Sequence, residues 1–363
     1  HAFATDPERG VFILIFLVLV IGGSLTLYAL RAPAVLSKPV FGWWSREVLL
    51  LVNNVILVVA AITVLLGTLY PLIIDALGKG RISVGPPYFN AMFVPLMSLL
   101  FVFMGFAASS KWKKTTMASS KLQLLAASVV SLLLAVLLPI WYGTQFSLTA
   151  AFAVLMSLWI MLTGLLDVRA KLVQGSGSMV KRLQRLSRSY WGMQLGHLGI
   201  ATCIIGVAFT SIYSDQRDVK LTPGESVTVQ QYQFVFEGVR PVRGPNFDAE
   251  EAQIRVYLDG QAQYLLQPQK RRYRASGQTM TEAAIESGFS RDLYVALGER
   301  LEGDAWAVRV HYKAFVNWIW LGGLVMALGG LLALLDKRYR IRERQSVAAQ
   351  AASAALVEEG AGI

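Results

Sequence analysis

His197 is the residue most able to do chemistry in this sequence, because it lies within an apolar run (191–213) long enough to cross a bilayer. No Asp, Glu, Lys or Arg lies deep in any apolar run of the chain, and His197 is the one imidazole there. An ionisable group in hydrocarbon is costly, so a membrane protein that keeps one there usually uses it. Imidazole can relay a proton, hydrogen-bond across a helix interface, or ligate a metal or haem iron. The residues alone leave these three roles open.

Glycines lie on both sides of His197. Gly192 and Gly196 are four residues apart, which predicts that they share one helical face, and Gly199 lies on another stripe. Small residues let a neighbouring helix approach the backbone closely, and they would also leave room for a flat ligand beside the imidazole. No second histidine of this chain lies at membrane depth. A site with two imidazoles would therefore need its other ligand from outside the chain.

Two further histidines and an amide pair are candidates for binding. His1 precedes the first apolar run, where a histidine is either solvated or held on an ordered loop. His311 closes a soluble segment before the last apolar run, and we expect it at the end of a strand. Asn53 and Asn54 lie in the second apolar run, where buried amides usually hydrogen-bond between helices.

A basic cluster, Lys270-Arg271-Arg272-x-Arg274, lies in the same soluble segment as His311. Arg271 and Arg272 are either solvated side chains at a strand edge or part of a docking patch for carboxylates such as propionates. The sequence contains no P-loop, no HExxH, no nucleophile elbow and no paired carboxylates at membrane depth. The sequence therefore contains none of the residues that ATP coupling or hydrolysis would need.

The composition is that of a polytopic membrane protein. Of 363 residues, 55% are hydrophobic and 16% are charged, and the mean hydropathy is +0.49. The net charge of +11 does not require nucleic acid, because the basic residues follow the loop pattern of a membrane protein. The single cysteine, Cys203, excludes a disulfide, a CxxC pair and a CxxCH haem-attachment site within this chain.

Seven apolar runs are long enough to be transmembrane helices, namely Val11–Leu30, Glu47–Leu69, Phe89–Ala108, Leu122–Trp141, Leu148–Leu166, Trp191–Tyr213 and Phe315–Leu335. Lys and Arg concentrate in every second connecting segment, which predicts that the N-terminus is outside and the C-terminal tail is cytoplasmic. The basic residues follow the first run rather than precede it, unlike in a signal peptide. We therefore expect this chain to be the C-terminal part of a longer protein.

The predicted architecture is about seven transmembrane helices with one β-rich soluble domain inserted between helices 6 and 7. We expect helices 1–6 with short loops in residues 1–213, the domain in 214–312, helix 7 in 313–336 and the cytoplasmic tail in 337–363. Residues 226–237, 252–258 and 305–311 alternate apolar and polar positions, which is typical of strands. Turn dipeptides at 223–224, 259–260 and 303–304 favour a small antiparallel β-sandwich or barrel-like domain.

Several long stretches have an unusual composition: HAFATDPERGVFIL (1–14), LLLVNNVILVVAAITVLLGTLYPLIID (49–75), SVGPPYFN (83–90), GMQLGHLGIA (192–201), FEGVRPVRGPNF (236–247), TEAAIESGFSRDLYVALGE (281–299) and NWIWLGGLVMALGG (317–330). They resemble the C-terminal part of the CcmF family of cytochrome c-type biogenesis proteins, and the resemblance covers nearly the whole chain. It implies a haem lyase subunit in the bacterial cytoplasmic (inner) membrane, with the β-rich domain in the periplasm.

The resemblance also implies partners and ligands. Such proteins receive haem from a haem chaperone, work with other membrane subunits of cytochrome c maturation, and assist haem attachment to the CxxCH motif of apocytochrome c. The family holds a haem b between two transmembrane histidines, and His197 falls on the second of them. Two outer-face histidines are thought to grip the incoming haem, and His1 falls on the second of those. The first member of each pair would lie in an N-terminal half that precedes this chain.

The resemblance has three local departures. His311, Ala314 and Asn317 stand where the family is expected to have an aromatic residue, Pro and Arg, which could alter docking near the end of the soluble domain. Two other functions fit the residues. One is a secondary transporter or exporter that uses His197 as a proton or substrate site, and the other is a non-catalytic assembly scaffold. Membrane lipid is an expected partner, and nucleic acid is not.

Overall fold

The computed structural model describes residues 7–32, 45–80, 82–108, 121–142, 146–173 and 177–336. Within these ranges the helices are α1 Pro7–Arg31, α2 Arg46–Ala76, α3 Pro86–Ala108, α4 Lys121–Tyr142, α5 Leu148–Val173, α6 Met179–Arg185, α7 Arg188–Tyr213 and α8 Val316–Leu334. All except the short α6 are long and apolar enough to cross a membrane, which confirms the seven predicted spans. The described chain divides into two compact units, residues 1–127 with 163–167 and residues 128–162 with 168–363.

Helix ends follow local capping rules. α2 begins after Ser45, whose hydroxyl accepts a hydrogen bond from the amide of Val48. α3 begins at Pro86, earlier than the apolar run suggested, because proline is well suited to the first turn of a helix. In the first unit, α2 and α3 pack where Gly67 meets the ring of Tyr88, whose hydroxyl donates to the Thr63 carbonyl at 3.0 Å.

The second unit contains most of α5, the most buried of the candidate spans in the described ranges. Its residues Ala150 and Val154 are buried with Phe209 of α7 in one apolar cluster, which also receives Phe315 at the start of α8. By contrast, the side chains of α1 are mostly exposed on the described surface, as expected of a helix that faces lipid or a further protein segment.

The soluble segment between α7 and α8 is a two-sheet antiparallel sandwich, as predicted. Its strands are β1 Asp215–Leu221, β2 Ser226–Val229, β3 Tyr232–Arg243, β4 Phe247–Leu258, β5 Gln261–Leu266, β6 Gln269–Tyr273, β7 Thr279–Glu282, β8 Ala284–Ser287, β9 Arg291–Arg300 and β10 Trp306–Ala314. One sheet has the order β1-β10-β9-β8, and the other has β2-β3-β4-β6-β7 with β5 paired to β4. Phe234 and Ile254 of one sheet and Val295 and Val310 of the other are fully buried between them.

One strand prediction needs correction. Residues 226–237 alternate as a single strand would, but the structure divides them into β2 and β3, a hairpin in which Val229 pairs with Tyr232. The turn is formed by Gln230 and Gln231, and Gln230 has a positive φ of 56°. Glutamine rarely adopts this left-handed conformation, and the sequence has no Gly, Asn or Pro here that would indicate a turn.

Candidate functional site around His197

α7 and α8 pack through a row of glycines. Gly192, Gly199 and Gly206 recur at seven-residue intervals along α7, and Gly322 and Gly329 do the same on α8. A Cβ placed on Gly199 would lie 2.6 Å from the carbonyl oxygen of Gly322, and one on Gly329 would lie 2.6 Å from that of Gly192. The two backbones are therefore in direct contact, which side chains at these positions would prevent.

This contact changes the interpretation of two predicted pocket residues. Gly192 and Gly199 were expected to make space for a flat ligand beside His197, but the backbone of α8 fills that space. For these two glycines, helix packing is the better explanation. Gly196 differs, because a Cβ placed there would meet no atom within 4 Å. Of the three glycines, Gly196, which precedes His197 in the chain, is therefore the one with open space in the described structure.

His197 lies on the side of α7 opposite the glycine row. It is two residues from Gly199, a rotation of about 200° around the helix. Ala201, one turn further along, is fully buried, and its carbonyl accepts a 2.7 Å hydrogen bond from the hydroxyl of Ser157 on α5. α7 is therefore held by α8 on one side and by α5 near the His197 side. His197 itself is partly buried.

The position of His197 along α7 suits an intramembrane ligand. At 1.5 Å per residue it lies about 14 Å from the Arg188 end of the helix and about 24 Å from the Tyr213 end. An imidazole nitrogen is a common axial ligand of haem iron, so His197 is the residue here that could hold one. Within the described ranges no three His, Cys, Asp or Glu side chains cluster as a metal site. The arrangement offers one axial ligand, which fits half of a bis-histidine site.

Cys203 lies on the α8 side of α7. Its thiol donates to the carbonyl of Ile319 at 3.2 Å, and its sulfur lies against Gly322. The cysteine is therefore part of the helix contact and faces away from His197.

The predicted amide pair lies in the first unit. Asn53 donates to the side-chain oxygen of Asn54 at 3.4 Å, and Asn54 is exposed on the described surface of α2. The expected hydrogen bond from these amides to another helix stays a prediction. His1 lies outside the described residues.

The basic cluster of the β-domain is largely used within the domain. Arg271 pairs with Glu282 at 3.3 Å, and Lys270 pairs with Glu299. Arg272 is exposed, and the alternation of β6 places it on the face opposite Arg271. Charge pairing between strands thus accounts for Arg271, whereas Arg272 keeps a free surface position for the predicted docking role.

His311 lies in the middle of a charged strand face rather than at a strand end. Its ring packs edge-on against Tyr294 of β9, and Arg309 and Lys313 flank it on β10. Burial, helped by the positive charges of Lys313 and Arg309, holds the pKa of His311 below its usual value. A neutral histidine at this position fits the interpretation of His311 as a strand residue that packs against its neighbours.

Asn317 joins α8 to the β-domain. Its side-chain amide donates to the carboxylate of Asp292 at 2.8 Å and to the carbonyl of Gly288 at 3.0 Å. Asp292 is buried, so this amide helps to satisfy a charge that would otherwise be costly. In the sequence, Asn317 stands out only as a departure from the family pattern, and its link to the β8–β9 turn becomes visible only in the fold.

Comparisons with known proteins agree with this architecture. Residues 212–314 match the family model of the CcmF C-terminal beta-sandwich. The chain is 51% identical over 347 residues to the cytochrome c-type biogenesis protein CcmF of Pseudomonas fluorescens, covering 96% of this chain and 52% of that protein. It is 46% identical over 342 residues to CcmF of Escherichia coli (strain K12), covering 94% and 52%.

A solved structure shares the fold. The structure described as Cytochrome c Heme Lyase CcmF matches with a TM-score of 0.66 and 24% identity, over 81% of this chain and 46% of that one. The chain spans about half the length of the curated relatives it matches. With its matching sandwich, its membrane helices and its high identity to these relatives over nearly all its length, the chain belongs to the CcmF family of cytochrome c-type biogenesis proteins.

Proposed function

We propose that this chain is part of a haem lyase for cytochrome c maturation. In this role it receives haem from a haem chaperone and assists covalent attachment of the haem vinyl groups to the CxxCH thiols of apocytochrome c. It works with other membrane subunits of cytochrome c maturation, with the β-domain on the periplasmic side of the inner membrane. The observation that carries the proposal is the high identity to cytochrome c-type biogenesis proteins over nearly the whole chain.

Within this function, His197 ligates a haem b in the membrane. The support is its place in an apolar helix, on the side of α7 away from α8, directly after Gly196, where a Cβ would meet no described atom within 4 Å. The imidazole of His197 would hold the iron through one nitrogen and orient the porphyrin. Bound haem b would supply one-electron redox chemistry. The second axial ligand would come from residues outside this chain, and His1 would contact the separate, transferred haem.

The test uses the protein expressed at the full length of its relatives. Purified wild-type protein should show the absorbance spectrum of a bis-histidine haem b, and His197→Ala should lose it, because one axial ligand is gone. His311→Ala is the matched control, since it removes a histidine from the β-domain and should leave the spectrum unchanged. His1→Ala should keep haem b and lose cytochrome c maturation.

Other outcomes would favour the other functions. A colourless wild-type protein would contradict the haem b site and favour a transporter that uses His197. A His197→Ala variant that loses haem b but matures cytochrome c normally would favour an assembly scaffold. Maturation is read as the yield of covalently bound haem in a coexpressed cytochrome c.

A further inference from the structure

A polar cleft lies where the β-domain meets the helices of the second unit. Its volume is about 650 Å³, and it is open to solvent. It lies between the end of α4, the start of α5, the end of α7 and the β8–β9 turn. Its lining is rich in tyrosine and includes one cation, the principal residues being Tyr142, Phe146, Tyr213, Tyr232, Arg291 and Tyr312.

Arg291 supplies the positive charge of the cleft. Its Nε donates to the hydroxyl of Tyr232 at 3.0 Å, its Nη2 to the hydroxyl of Tyr264 at 3.2 Å, and its Nη1 to the carbonyl of Glu286 at 3.3 Å. A guanidinium has five N–H donors, so two remain for a ligand. All three acceptors are neutral. Its guanidinium is thus fixed in position without being neutralised.

The carboxylates near Arg291 are engaged with other groups. Asp292 follows it on β9 and accepts hydrogen bonds from Asn317 and from the amide of Gly288. Asp215, at the rim of the cleft, pairs with Arg217 at 3.5 Å. Across the described ranges, no carboxylate forms an ion pair with Arg291. A partly buried cation with neutral partners favours an anion in the cleft.

Two further features point to an anionic ligand. Ser147 lines the cleft and caps α5 by accepting from the amide of Ala150 at 3.3 Å, so the positive end of the dipole of this helix is directed at the cleft. The hydroxyl of Tyr213 is enclosed in the cleft wall and has no hydrogen-bond partner in the described structure. An oxygen-rich ligand would satisfy such a donor.

The cleft lies at the ends of three apolar helices, α4, α5 and α7. Two aromatic side chains of its lining are exposed, Phe146 by 52% and Phe289 by 75%. Trp318 at the start of α8 donates to the carbonyl of Phe289 at 3.0 Å, which holds the β8–β9 turn against the end of that helix. Exposed aromatic residues at helix ends are typical of the headgroup region of a bilayer.

We propose that this cleft binds the phosphodiester of a phospholipid headgroup in the leaflet on the β-domain side, with Arg291 as its cation. A free phosphate has the same charge chemistry, but it would make no use of the exposed Phe146 and Phe289. The lipid would join the ends of α4, α5 and α7 to the base of the sandwich. This proposal does not depend on the haem lyase function or on His197.

The experiment compares lipid binding in two arginine variants of the same strand. The protein at the full length of its relatives is purified in detergent and titrated with phosphatidylglycerol, and bound lipid is counted by native mass spectrometry. Arg291→Gln should weaken binding roughly tenfold or more, because charge-assisted hydrogen bonds to the phosphate are lost. Arg300→Gln, at the exposed other end of β9, should bind as the wild type does. Inorganic phosphate at the same concentrations should not compete.

Each result has a defined meaning. Equal lipid binding in folded Arg291→Gln and Arg300→Gln would overturn the proposal, and so would competition by inorganic phosphate as strong as that by lipid. If Arg291→Gln does not fold, Arg291→Lys and Phe289→Ser are measured instead. Lysine keeps the charge without the planar fork, and Phe289 is mostly exposed, so both variants should fold and bind lipid several-fold more weakly. Unchanged binding in both would also overturn it.

Discussion

Two glycines of α7 have opposite surroundings, although helical geometry places them only about 60° apart around the axis. At Gly199 the missing side chain lets the backbone of α8 approach, so that a Cβ would lie 2.6 Å from a carbonyl oxygen. At Gly196, three residues earlier and directly before His197 in the chain, a Cβ would meet no described atom within 4 Å. Glycine spacing in a membrane helix therefore does not by itself distinguish helix packing from ligand space. The position of the neighbouring helix decides whether a glycine serves packing or leaves open space. Substitutions at Gly199 and Gly196 can test the two cases separately.

The largest effect on stability is expected at Gly199, which packs against α8. Gly199→Leu places its side chain against the Gly322 carbonyl and the backbone of Met326, which cannot move without separating the helices. We expect a loss of at least about 3 kcal/mol in the free energy of unfolding, at the upper end of overpacking effects. Gly323→Leu is the control, because nothing lies within 4 Å of that position. Denaturant unfolding in detergent measures both. Equal stability of the two variants would contradict the contact.

The second prediction concerns Gly196, where the described structure leaves open space. Gly196→Leu should change the stability by less than about 1 kcal/mol, because a Cβ at this position meets no described atom within 4 Å. It should nevertheless reduce the haem b content several-fold in the full-length protein, because leucine would occupy the space beside His197. The haem-to-protein absorbance ratio is the measurement. Wild-type haem content in this variant would remove Gly196 from the proposed site, and a stability loss equal to that of Gly199→Leu would mean that another helix fills the space.

A third, smaller effect tests how α5 supports the His197 side. Ser157→Ala removes the hydrogen bond to the Ala201 carbonyl, one turn from the imidazole. Hydrogen bonds between membrane helices contribute about 1 kcal/mol, and we expect a loss of that size. Ser211→Ala is the matched control, since the Ser211 hydroxyl bonds only within its own helix, to the Val207 carbonyl. A loss no greater than in the control would mean that Ser157 does not hold α7.

Sequence patterns predicted the architecture well, because it depends on long-range averages. Runs of apolar residues fix the seven spans, and alternation with turn dipeptides fixes a β-domain between the last two. The hairpin at Gln230 was missed because its turn uses a residue with no turn signature. α6 was missed because seven polar-rich residues carry no clear apolar period.

The candidate site was predictable only in part. His197 stands out in a hydropathy pattern. Which of the nearby glycines packs against a helix, and which leaves open space, depends on the position of α8. That helix is more than a hundred residues away in the sequence. The cleft at Arg291 had no motif at all. Its tyrosines come from α4, α7, β3 and β10, which only the fold brings together.

The smallest expected effect concerns the pH dependence of the stability of the β-domain. It is compared with the pH dependence of the haem b spectrum, which involves His197 of α7. Burial, Lys313 and Arg309 hold the pKa of His311 below the value of about 6.5 expected in the unfolded chain, while Asp218 opposes them weakly. The unfolded state therefore binds more protons as the pH falls below about 6.5, so the β-domain should lose a small part of its stability between pH 7 and pH 5. In His311→Gln this slope should flatten, because glutamine does not titrate. The haem b spectrum should keep its wild-type pH dependence in the same variant, since His197 lies on a membrane helix outside the domain. A slope unchanged by His311→Gln, measured by thermal unfolding across that range, would assign the pH response to other groups.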